Sequence, residues 1–262
     1  MYNKHKGAVS MKKESFYIDS SNNSYKIFCD LYLPENESIE KIIIACHGFG
    51  GDKNSSAILM LAKSLTKYNI GILAFDFPGH GISNASGYEY TLENCIGDIN
   101  DVEEYIKKEL DIKNIGFFAT SFGAYAVLLK INRDKKIYNP IILRCPALNM
   151  KSIFENSILR VDLKDFIKKG ECELGFERKI IVTKRFYEEL IKNDIFKLYN
   201  TKNEIVIIHG TKDDVAPIED SIKFRNKFKN RVKLFKVEGA DHRFKKEGEL
   251  EQVIEIAKNS IL

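Results

Sequence analysis

The run FFATSFGAY, residues 117–125, sets Ser121 between the small residues Ala119 and Gly123, with a strand-like apolar stretch before it and a helix-like stretch after it. A serine hydroxyl is a poor nucleophile at neutral pH. It attacks a carbonyl carbon only when a base within hydrogen-bond reach takes its proton, and it needs donors in place for the oxyanion that develops. Five histidines could supply the base: His5, His47, His80, His209 and His242. His47 and His209 each precede a glycine at the end of an apolar run, in IIIACHG and IVIIHG, where a histidine commonly satisfies loop backbone. His80 lies in DFPGHG and His242 in GADHRF. The carboxylates available to orient an imidazole are Asp76 after GILAF, Asp213 and Asp214 in HGTKDD, and Asp241 beside His242. HExxH, CxxC pairs and clustered His and Asp at ligand spacing are all missing, so no metal is implied. Neither GxGxxG opening a helix nor GxxxxGK[ST] occurs, so no nucleotide cofactor is implied either.

These residues must be positioned by the elements around them. Short apolar runs recur as SFYID, KIFCDLYL, KIIIAC, GILAFDF, NIGFFA, NPIILRC, EIVIIHG and RVKLFKV. Most lack strict alternation, as strands covered on both faces do. Helical stripes lie between the later ones: Ile58, Leu61, Ala62 and Leu65 in one segment, and Ile96, Ile99, Val102, Ile106 and Leu110 in another. This alternation predicts an α/β fold whose eight-stranded sheet is mostly parallel, with helices on both faces. Only SSNNS separates the first two strands, which predicts an antiparallel hairpin at the N-terminal edge. Almost sixty residues separate Cys145 from Glu204, too long for a plain crossover. They read as a core helix preceded by a small cap insertion, at about 148–182, after the sixth strand. The whole of 1–262 reads as one domain.

The bulk composition, 44% hydrophobic and 30% charged with a net charge of +4, is ordinary. Interspersed lysines and acids, as in DVEEYIKKEL, read as solvated helix faces rather than a nucleic-acid footprint. Cys29, Cys46, Cys95, Cys145 and Cys172 are odd in number and mostly sit in apolar runs, which suits reduced thiols in a cytoplasmic protein. The start, MYNKHKGAVSMKKESF, has no apolar core of a signal peptide, and no stretch reaches the length of a membrane span.

In open parallel sheets, ligands bind beyond the carboxyl ends of the strands, and there this chain carries HGFGG, TSFG, TKDD and EGADH. With DFPGHGIS, ATSFGA, HGTKDDVAP and GADHRF in order, the chain resembles the α/β-hydrolase superfamily over nearly its whole length. Within it, the chain resembles in particular small carboxylesterases, cinnamoyl (feruloyl) esterases and monoacylglycerol lipase-like enzymes. The elbow reads AxSxG, with Thr120 before the serine. The resemblance implies Ser121 as nucleophile, His242 as base and Asp213 as the acid that orients it, with Asp214 the rival one residue on. It implies the backbone N–H groups of Phe49 and Phe122 as the oxyanion hole, and a structural role for Asp76.

On the same likeness the chain would be a cofactor-free serine hydrolase of carboxylic esters with small or aromatic acyl groups. The cap residues Phe154, Ile158, Leu163 and Phe166 would shape the pocket. Its partner would be a small-molecule ester, with no nucleic acid and no membrane. The same triad would serve a thioesterase or a small aminopeptidase or amidase. A hydrolase fold that kept only ligand binding is the reading from another class.

Overall fold

A computed structural model describes residues 11–35, 39–175 and 179–262; His5 and the rest of the basic start lie outside them. The strands are β1 (Met11–Asp19), β2 (Lys26–Pro34), β3 (Lys41–Cys46), β4 (Ile70–Phe75), β5 (Ile115–Thr120), β6 (Ile141–Arg144), β7 (Glu171–Leu174), β8 (Ile180–Thr183), β9 (Ile205–Gly210) and β10 (Val232–Val237). Eight of them form one sheet in the order β1-β2-β4-β3-β5-β6-β9-β10. β1 and β2 make the edge hairpin, in register from Met11↔Pro34 to Asp19↔Lys26, and β2 runs antiparallel to β4. Every other pair in the sheet is parallel.

The central strands explain themselves. β4 and β5 are buried along their whole length, so IGILAF and IGFFAT can be apolar throughout. Successive side chains serve opposite faces. Ile42, Ile44, Phe75 and Phe117 pack into one core with α2 (Leu92–Glu109) and α3 (Phe122–Asp134). Ile43, Ala45, Ala74 and Phe118 pack into the other with α1 (Ser56–Leu65) and α9 (Glu249–Ile261).

Between β6 and β9 the chain leaves the sheet through α4 (Met150–Ile153), a π-helical turn at Phe154–Ile158, α5 (Leu163–Lys169), β7, β8, α6 (Lys184–Lys192) and α7 (Ile195–Leu198); α8 (Ile218–Lys227) then follows β9. The insertion is thus helical, as the sequence predicts, but it also contains a two-stranded antiparallel sheet of β7 and β8. ECEL is too short for its alternation to stand out, so the sequence reads it as part of a Gly-containing connection. α6 is the core helix expected there: Phe186 and Leu190 are buried against the body.

At the end of α3 remote from Ser121, Lys130 is fully buried. Its ammonium donates to Glu103 of α2, to Asp134 and to Tyr138 Oη at 2.9 Å. No described helix is long and apolar enough to cross a membrane.

Candidate active site

Ser121 stands at the N-cap of α3, directly after β5, with φ 51° and ψ −114°. That is a costly conformation for a residue with a Cβ, and the surroundings hold it there. Ser121 N donates to Arg144 O at 3.0 Å, and Ser121 O accepts from Tyr125 N at 3.2 Å and Ala147 N at 3.1 Å. The turn works only because its neighbours lack side chains. A Cβ on Gly123 would lie 2.4 Å from His47 O, and one on Gly48 would lie 3.1 Å from Ser121 Cβ. Arg144 adds a brace: its Nε donates to Thr120 Oγ1 at 3.2 Å, and its guanidinium sits 5.3 Å from the Phe244 ring centroid.

Asp213 follows β9 and His242 follows β10, and the parallel register brings both to the same sheet edge as Ser121. His242 Nδ1 lies 2.7 Å from Asp213 Oδ2. Asp213 Oδ1 accepts from Val215 N at 2.9 Å and Ala216 N at 2.8 Å. Burial alone would push this carboxyl up, but hydrogen bonds from His209 and His242, the His242 charge and the Ala216 N–H outweigh it and hold the pKa well below the usual range. Asp214 is exposed. The turn that carries His242 is shaped by Asp241, whose Oδ1 accepts from Arg243 N at 2.9 Å. Among the described residues Ser121 Oγ makes no hydrogen bond, to His242 or to any other group. Such contacts commonly tighten only when substrate is bound.

The HGFGG loop faces this turn. His47 Nε2 accepts from Phe77 N at 3.0 Å, so the ring's proton is on Nδ1, which lies 2.8 Å from Gly48 O. Burial pushes the His47 pKa down and keeps that neutral form. Lys53 closes the loop from the other side: its ammonium and N–H both donate to Asp76, each at 2.9 Å, in a buried ion pair. Asp76 Oδ2 also accepts from Ile82 N at 3.0 Å, and Gly81 is required beside it, because a Cβ there would lie 2.2 Å from the carboxylate. Asp76 therefore braces the PGHG turn, as expected, and the HGFGG loop as well. Phe122 is the first residue of α3, so helix geometry gives its N–H no intrahelical acceptor.

An aromatic seam runs from these loops into the insertion. Tyr90 stacks on Phe186 at 4.7 Å, Phe122 touches both, and Phe186 meets Phe154, which meets Phe166. Phe154 and Phe166 are fully buried, while Ile158 and Leu163 are half-buried. The Tyr90 hydroxyl is buried without a hydrogen-bond partner among the described residues.

Folding also assembles a trio that spacing does not reveal. Cys145, His209 and Asp213 bring their ligand-type atoms within 4.8 Å of one another. The trio fits a metal poorly. Burial drives the Cys145 thiol well up, away from the thiolate, and His209 Nε2 is already engaged with Ala216 O at 2.9 Å. All five cysteines are unpaired, and only Cys172 is not buried.

Residues 37–171 match the hydrolase family described as serine aminopeptidase, S33. The chain belongs to that family. The match stops before Asp213 and His242, whose meeting is a property of the fold. Est1E of Butyrivibrio proteoclasticus, solved with ferulic acid bound, superposes with a TM-score of 0.79 at 24% identity, over 93% of this chain and 96% of its own. Alpha/beta hydrolase domain-containing protein 10 from mouse gives 0.72 at 15% identity over 94% and 97%. The uncharacterized protein R595 of Acanthamoeba polyphaga mimivirus is 24% identical over 215 residues, 79% of this chain and 67% of its own. The fold of this S33-family chain is the α/β-hydrolase fold.

The sequence leaves three participants out: Lys53, Arg144 and the contact of His209 with Asp213. Lys53 looks like any loop lysine. Arg144 in IILRCPA carries the one available signal, a charge at the end of an apolar strand.

Proposed function

We propose that the chain is a serine hydrolase of carboxylic esters, working through an acyl-enzyme. Ser121 attacks the carbonyl, His242 takes its proton and returns it to the departing alcohol, and Asp213 holds the imidazole tautomer and stabilises its charged form. Water, deprotonated by the same imidazole, then releases the acid. The N–H groups of Phe49 and Phe122 receive the oxyanion, aided by the N-terminus of α3. The observation that carries this reading is the 2.7 Å Asp213–His242 contact at the sheet edge where Ser121 occupies its strained turn.

Small or aromatic acyl groups are the preference we assign, and the ferulic acid bound by Est1E supports it. The cap, about 148–182 within a single domain, forms the roof, with Phe154, Ile158, Leu163 and Phe166 on the pocket's cap side.

The family description favours a second reading, an aminopeptidase or amidase. Such an enzyme needs a carboxylate free to anchor an amine, and two cap candidates are committed elsewhere. Glu155 binds Lys151 and Tyr187, and Asp162 caps α5 through Lys164 N at 2.8 Å. The third candidate, Asp165, is exposed on α5, so hydrolysis of aminoacyl amides beside the esters decides between the two readings.

The test is hydrolysis of p-nitrophenyl esters from acetate to palmitate, with methyl ferulate, using Ser121→Ala as the blank. Activity abolished in the variant supports the proposal, and the chain-length optimum sizes the pocket. Absence of activity above the blank, together with failure of Ser121 to react with a fluorophosphonate, sinks it in favour of a binding protein.

A further inference from the structure

His209 does more than fill the end of β9. Its ring is fully buried, with Nε2 2.9 Å from Ala216 O and 3.1 Å from Asp213 Oδ2, and Nδ1 2.8 Å from Ser221 Oγ, itself buried on α8. Both neighbours of Nε2 can only accept, so Nε2 carries a hydrogen whatever the ring's charge, while Nδ1 meets a hydroxyl that can donate or accept. Asp213 Oδ2 is thereby shared between two imidazoles, His242 at 2.7 Å and His209 at 3.1 Å.

We infer that His209 is a positioning residue, a second imidazole that fixes the Asp213 carboxylate and limits how strongly it holds a proton on His242. This rests on the triad proposed above. An oxygen that accepts from two donors gives less of its charge to each, so the His242 imidazolium is stabilised less than by an unshared carboxylate. Removing His209 should therefore strengthen the hold of Asp213 on the His242 proton. Other charged or titratable groups face the pair: Arg144 and Cys145 at the end of β6, Asp241 in the His242 turn, and Asp220 on α8 near His209. None of them takes the place of the Nε2 contact.

The test uses the full chain and reads the His242 ring by NMR titration, which needs no substrate. In His209→Leu, His242 should titrate roughly half a pH unit or more higher than in the wild type. The acid limb of kcat/KM on p-nitrophenyl butyrate should move up with it, and kcat should fall roughly tenfold at little change in KM. His209→Gln, whose amide nitrogen can reach the Nε2 position, should restore both. In wild type, nitrogen correlation spectra should show His209 protonated at Nε2, a measurement that stands even if the leucine variant does not fold. A His209 ring protonated at Nδ1 alone overturns the inference. So does unchanged His242 titration in folded His209→Leu, or a glutamine variant no better than leucine. If the titration moves as expected but no ester is turned over, it is the esterase reading that fails.

Discussion

Two clusters of buried charge lie at opposite ends of α3. At one end, Lys130 is enclosed by Glu103, Asp134 and Tyr138. At the other, beyond Ser121, Asp213 is enclosed by two imidazoles and two backbone N–H groups, yet the His242 side chain keeps 13% of its surface open. Both clusters have satisfied the cost of burying charge with hydrogen bonds. They differ in what their outer members do: in the first, the partly exposed Asp134, Lys107 and Lys136 are all bonded back into the cluster, whereas the second ends in an imidazole whose Nε2 makes no hydrogen bond among the described residues. A network whose members are all bonded to one another serves the scaffold. One that ends in an unbonded imidazole nitrogen can pass a proton.

Breaking each cluster should separate these roles. The largest effect is expected from Asp213→Asn, which leaves the imidazole in the wrong tautomer and should lower kcat by about 10⁴-fold in an ester assay. Lys130→Met should instead act on stability. It removes the buried cation between the two carboxylates while leaving Glu103 its bond from Lys107 and the Tyr138 hydroxyl within reach of both Glu103 and Asp134, and should cost about 3 kcal/mol in a denaturant titration while the folded fraction keeps its kcat.

Acid sharpens the contrast. Burial pushes the Glu103 carboxyl up, but the bonds from Lys107 and Lys130 prevail and hold it at about 2. Because the folded pKa lies below the unfolded one, the unfolded chain protonates first. Stability from this group is full above the unfolded value, near 4.5, and fades as pH falls toward about 2. Unfolding curves between pH 6 and pH 3 should show that loss, and Lys130→Met should flatten it. Gly48→Ala should be milder: a Cβ 3.1 Å from Ser121 Cβ displaces the proposed nucleophile slightly, and should lower kcat by roughly tenfold with little change in melting temperature. Tyr90→Phe should move stability by no more than about 1 kcal/mol, upward if anything, because it removes a buried hydroxyl with no described partner.

The sheet was legible because KIIIAC, GILAF and NIGFFA are continuous apolar runs, and their order with the intervening helical stripes predicts a parallel core. Ser121 is visible because it directly follows such a run, and Asp213 and His242 because they sit in the turns three and five residues past the ends of β9 and β10. What periodicity does not reveal is which side chains meet across strand ends. His209 and His47 look alike in sequence, each before a glycine. Yet His47 ties the HGFGG loop to Phe77, while His209 reaches the Asp213 carboxylate. The β7–β8 pair was hidden for a different reason: four-residue strands carry too little pattern to compete with their flanking glycines.

The Lys53–Asp76 pair has a consequence for when the HGFGG loop takes its shape. The pair is out of contact with water, so dissolved ions screen it weakly, and its hydrogen bonds are in place with no ligand present. The loop's order is therefore achieved during folding and not at each encounter with substrate. On the oxyanion role proposed for Phe49, an uncharged ester would meet that donor already fixed, and its affinity and turnover should hardly respond to added salt.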